Sequence, residues 1–196
     1  MTADRNSHAV RLQLITVAWM LVELGVSAYS AFTAHSAAML AFGSDSMVET
    51  LSAAAVLSQW LPGINLSERR AARISGVLLF VLAAVVVAIA VLSYLFHVEP
   101  DKTWTGIGIT AAALLAMPVL ARMKRREAAR TGNAALAADA VQSATCAYIA
   151  GVTLAGLGLR AAFDIAWFDT VAALPAVPLL IREGRQAWRG NPCGCC

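Results

Sequence analysis

The chain keeps its apolar and polar residues in separate blocks. Apolar runs fall near residues 10–32, 37–61, 74–97, 104–122, 133–158 and 165–182. Most hold about 20 residues or more, enough at about 1.5 Å per residue to cross a hydrocarbon core of roughly 30 Å. The stretch "SGVLLFVLAAVVVAIAVLSYLF" carries no charge, whereas Pro175 and Pro178 interrupt the last run and predict a bend there. The pattern predicts an all-α, polytopic membrane protein of six transmembrane helices, with a membrane domain over residues 1–182 and a short Cys-containing tail over 183–196.

Composition agrees with that pattern. Of 196 residues, 59% are hydrophobic and 14% charged, too few polar groups to cover a soluble domain of this size. The N-terminal "MTADRNSH" lacks the basic segment and small-residue cleavage site of a secretory signal, so the first run reads as a retained helix. The net charge is +3, but placement says more than the sum. Of fifteen Lys and Arg residues, only Lys102 and Arg160 fall on one side of the predicted membrane. Arg5, Arg11, Arg69, Arg70, Arg73, the run "RMKRREAAR" (122–130), Arg182, Arg185 and Arg189 fall on the other. This bias predicts both termini and the basic loops in the cytoplasm. It also makes the basic run an orientation signal against anionic lipid rather than a nucleic-acid patch.

The informative residues are the polar ones inside the apolar runs. A charge at the bilayer centre costs at least about 2.5–3.5 kcal/mol on insertion scales, so each one calls for a reason. "AFGSDSMVET" (41–50) places Asp45 and Glu49 four apart on one helical face. In helix 5, "NAALAADAVQSATCAYIAG" places Asp139, Gln142 and Cys146 on one stripe. Glu23 stands alone in helix 1. Pairs spaced i and i+4 on two facing helices converge four ligands, a tetrahedral arrangement; carboxylate and thiolate suit Zn²⁺, and thiolate shifts preference toward Cd²⁺ and away from Mg²⁺ or Ca²⁺. No Lys or Arg is expected at that depth, which leaves protons or a metal to neutralise Asp45 and Glu49.

Each residue has a plainer reading. Asp45 and Glu49 can be protonated carboxyls bonded across helices, and Glu23 a structural hydrogen-bond partner rather than part of a proton or metal path. Asp139 can cap or interact with the N-terminus of helix 5, Gln142 can join helices, and Cys146 can pack. His35, between helices 1 and 2, either receives a departing metal or is a solvated loop residue. The tail thiols Cys193, Cys195 and Cys196, in a reducing compartment, are candidates for capture of a soft metal.

At these residues the chain resembles the cation diffusion facilitator family, six-helix divalent-metal/proton antiporters. "AHSAAMLAFGSDSMVE" is similar to the family's stretch leading into helix 2 and gives Asp45 and Glu49 its two ligand positions. "ADAVQSATCAYIAG" is similar to its helix 5 motif, with Gln142 and Cys146 where His and Asp usually stand and Asp139 able to take up part of the role. Glu23 falls where one branch has a glutamate, and "WFDTVAALPAVPLLIREGRQAWRG" resembles the sixth helix. The resemblance implies export of Zn²⁺ or Cd²⁺ against protons, a homodimer, and no prosthetic group. The Cys tail stands where the family's ferredoxin-like cytoplasmic domain would follow. The alternative is a membrane-anchored metal sensor or accessory protein that binds without transport. No Ser-His-Asp set, HExxH or phosphate loop suggests an enzyme.

Overall fold

The computed structural model describes residues 2–60, 67–96, 101–163 and 174–189. Among them are six α-helices: α1 (Thr2–Ala34), α2 (Ala37–Leu57, followed by the 3₁₀ turn Ser58–Trp60), α3 (Glu68–Leu95), α4 (Trp104–Thr131), α5 (Ala134–Phe163) and α6 (Ala176–Trp188). The protein is an all-α polytopic bundle. Among the described residues, four helices are long and apolar enough to cross a membrane, over His8–Ala34, Gly76–Leu95, Trp104–Thr131 and Ala134–Phe163. The sequence of α2 is less apolar because Asp45, Glu49 and several hydroxyls interrupt it. Much of the expected sixth span, including the segment before Pro175, and the tail cysteines Cys193, Cys195 and Cys196 lie outside the described residues.

Local sequence fixes where each helix starts. Ser36 caps α2 by accepting from the Met39 amide (3.1 Å), Thr103 caps α4 through the Gly106 amide (3.0 Å), and Asn133 caps α5 through the Leu136 amide (2.8 Å). Between α4 and α5, Gly132 adopts a left-handed φ of 71° and closes α4 with a 2.8 Å bond to the Ala128 carbonyl. His35 makes the equivalent turn between α1 and α2 at φ 49°, with its side chain exposed. Connections this short fold each pair back on itself. The Asp101 amide reaches the Ala34 carbonyl at 2.7 Å, so the end of α1 lies beside the start of α4.

Helices α1, α2, α4 and α5 form one group, in which α1 packs on α2 and α4, and α5 on α2 and α4; the α3–α6 pair leans on α2 and α5. Met20, Met39, Phe42, Leu82, Met117 and Ile149 fill the shared core. Small residues bring the backbones close. A Cβ on Gly43 would lie 2.7 Å from Ser27 Oγ, and one on Gly184 would lie 3.2 Å from the Gly76 carbonyl oxygen.

The helices overrun the expected spans, and α4 continues from residue 122 to Thr131 through the basic run. Arg and Lys are good helix formers, and hydropathy registers only the apolar part. Ala113, Met117, Leu120, Lys124 and Ala128 form one buried stripe, carrying the inward face of α4 past the hydrophobic stretch.

Gly43→Leu should destabilise the protein by about 1–3 kcal/mol through overpacking at the α1–α2 contact. Gly108→Leu, at a position with no heavy atom within 4 Å, should not. Thermal unfolding of both variants in detergent checks the pair.

Candidate functional site

The buried faces of α1, α2, α4 and α5 converge on two polar layers. Glu23, Asp45, Glu49, Asp139, Gln142 and Cys146 are all fully buried. Each lies where the apolar stripe of its helix would continue, so packing that buries the stripe buries these groups too.

In the first layer, the Lys124 ammonium of α4 lies 2.8 Å from Asp139 Oδ2 of α5 and 3.3 Å from Glu49 Oε1 of α2. It also donates to Ser143 Oγ at 2.7 Å, and the Ser143 hydroxyl donates to Glu49. The Gln13 amide of α1 donates to Asp139 Oδ2 at 2.8 Å. Three helices thus meet at one ammonium, and α1 joins them through Asp139. The remaining oxygens, Glu49 Oε2 and Asp139 Oδ1, are buried without a hydrogen-bond partner.

The second layer lies one helical turn along α2, about 6 Å away. Glu23 of α1 accepts from the Trp19 indole and from Ser46 Oγ of α2, the latter at 3.1 Å. Cys146 Sγ of α5 lies 3.8 Å from Glu23 Oε2. Asp45 carries two buried oxygens without a hydrogen-bond partner, and both amide atoms of Gln142 are likewise unpartnered. Buried polar atoms in this state are uncommon.

The geometry changes the expected picture in two ways. A cation does stand at this depth: Lys124, which the charge count assigns to an orientation signal, is fully buried and holds Glu49 and Asp139. A cation placed between carboxylates of two helices removes their mutual repulsion, and no loop position offers that. The second change concerns register. Glu49 faces Lys124 and Ser143, whereas Cys146 faces Glu23 and Asp45, so Glu49 of the expected tetrahedral set stands apart from Asp45 and Cys146. Among the described residues no group of three or more His, Cys, Asp or Glu stands close enough to hold a metal.

Asp139 does not cap α5, since Asn133 fills that place. His35 is at the exposed turn, about ten residues before Asp45 on the chain. Sequence reasoning missed Lys124, Gln13, Ser143 and Ser46. Lys124 was findable, because it continues the Ala113, Met117, Leu120 spacing; the hydroxyls and Gln13 carry no such signal.

Residues 63–189 match the cation efflux transmembrane domain, a stretch that contains α3 to α6. The chain belongs to the cation efflux family. Its members of the cation diffusion facilitator kind are membrane transporters of metal cations, and transport of a metal cation is the function the family assigns here. A comparison with curated proteins returns no match. The family match includes Lys124, Asp139, Gln142, Ser143 and Cys146, while Gln13, Glu23, Asp45 and Glu49 precede it.

Lys124→Met should destabilise the metal-free protein by about 3–5 kcal/mol, the usual effect of leaving buried partners uncompensated. Lys124→Met combined with Asp139→Leu should recover much of that loss, because fewer charges then remain unpaired. Thermal unfolding in detergent without metal reads both.

Proposed function

We propose that the protein exports a divalent transition metal, Zn²⁺ or Cd²⁺, in exchange for protons, working by alternating access as a six-span homodimer in a bacterial inner membrane with both termini cytoplasmic. The observation that carries this reading is Asp45: a carboxylate buried among helices, with neither oxygen hydrogen-bonded, one turn from Glu49 and beside the Glu23–Cys146 contact. A carboxylate in this setting gains from a passing cation, and family membership supplies the reason for one to pass.

Arriving metal would exchange its water for Asp45, Glu49 and Cys146, with Gln142 and Asp139 as helpers and Glu23 on the path. The separation of the residues into two layers fits a site that closes around its cargo as helices shift, since alternating access requires two arrangements of the same ligands. Protonation from the far side would weaken carboxylate and thiolate ligands and free the metal. The tail thiols Cys193, Cys195 and Cys196 would bind soft metal before transport and tune its apparent affinity.

Reconstituted protein in liposomes should take up Zn²⁺ or Cd²⁺ when a proton gradient is imposed. A membrane-held sensor would bind metal without such a flux. Asp45→Asn should lower the flux by about tenfold or more, a loss that even groups outside the ligand shell can produce. Cys146→Ser should shift preference from Cd²⁺ toward harder ions, measured as the ratio of Cd²⁺ to Zn²⁺ uptake. Equal ratios before and after would return Cys146 to a packing role.

A further inference from the structure

We propose that Lys124 is a tethered competitor for the cargo: its ammonium holds the Glu49 oxygen that a passing cation uses, and the cation must push it onto Asp139 to gain entry. This rests on the reading that cations pass Asp45 and Glu49.

The contacts of Lys124 are unequal in the required sense. It lies 2.8 Å from Asp139 and 3.3 Å from Glu49, so the stronger contact survives when the weaker is given up. The Ser143 hydroxyl touches both Lys124 and Glu49, which lets it serve either after they part. Glu49 Oε2 and Asp139 Oδ1 have no hydrogen-bond partners, so each carboxylate keeps an acceptor in reserve. A lysine ammonium on a flexible four-carbon stem can make this move by side-chain rotation, with the helices in place.

Charge then sets the selectivity. A monovalent ion that displaces an ammonium from Glu49 replaces one positive charge with another and gains little. A divalent ion brings a second charge to the carboxylates of α2 and gains from both. Lys124 thereby excludes Na⁺ and K⁺ without a size filter. It also aids release, because an attached ammonium returns to Glu49 at high effective concentration when the metal leaves.

The test is uptake of Zn²⁺ by the full chain in liposomes, with Na⁺ or K⁺ titrated against it. Lys124→Gln should lower the KM for Zn²⁺ by about tenfold, equivalent to about 1.4 kcal/mol, while reducing kcat. It should also make uptake sensitive to Na⁺ at concentrations that leave the wild type unaffected. Lys124→Gln with Asp139→Asn balances the buried charge but still lacks the competitor; neutralising the helper Asp139 raises KM by itself, so the readout is Na⁺ sensitivity, which should persist. Lys124→Arg, which keeps the charge, should still exclude Na⁺. Wild-type insensitivity to Na⁺ in the double variant would overturn the inference, because Lys124 would then serve only to neutralise Asp139. Cd²⁺ binding at equilibrium, with Cys193, Cys195 and Cys196 changed to Ser in every form compared, gives the same comparison without turnover. Absence of flux from the wild type would overturn the proposed function and this inference together; wild-type flux with unaltered Lys124 variants would overturn this inference alone.

Discussion

A carboxylate taken out of water into a helix bundle needs a counter-charge or a set of donors, and among the described residues four are completely buried, on three helices: Glu23, Asp45, Glu49 and Asp139. The Lys124 ammonium meets that need for two of them. Because Asp139, Glu49, Ser143 and Gln13 all connect to that small cluster, the relative positions of α1, α2, α4 and α5 are tied to it. Glu23 depends on neutral donors instead, the Trp19 indole and the Ser46 hydroxyl. Among the described residues, Asp45 has no cation beside it and only the Cys146 thiol nearby. The bundle thus compensates one layer internally and leaves the other with electrostatic attraction for something from outside.

The contrast has a structural cause in the approach of α1 to α2. Gly43 offers no side chain where Ser27 stands, so the two helices come close enough for Ser46 to reach Glu23. The inner stripe of α1 also runs beside that of α5 over several turns, from Gln13 near Asp139 to Glu23 near Cys146. On the opposite side α4 and α5 are joined by a two-residue turn, which holds Lys124 and Asp139 in register by chain geometry as well as by charge. Neither alignment depends on bulky residues. Small residues and buried polar groups achieve it, as expected where lipid and core are equally apolar.

The sequence made the helical architecture legible because hydrophobic length is a strong signal. It also placed Asp45, Glu49, Asp139, Gln142 and Cys146 on buried faces, since their spacing follows the helical period. Helix ends were less legible: α4 runs on through residues that hydropathy assigns to a loop, and only its capping glycine, Gly132, marks the stop. The same boundary hid Lys124, whose charge fits the orientation rule while its position in the stripe contradicts it. The division into two layers could not be read either. It depends on how far a glutamate side chain reaches compared with an aspartate four residues away, and on which partner lies opposite after packing.

The family match begins after α2, yet Glu23, Asp45 and Glu49 all precede it. Physical contact joins the two parts. Lys124, Ser143 and Cys146, within the matched region, are the groups that meet Glu49 and Glu23 from outside it. An N-terminal helix pair that merely anchored the protein would minimise its cost by turning apolar faces inward and leaving acids at the membrane surface. These helices do the reverse. They bury three carboxylates against matched helices, in the part of the bundle where one ammonium is already bound, and a metal cation is the natural partner for the charge that Lys124 leaves over.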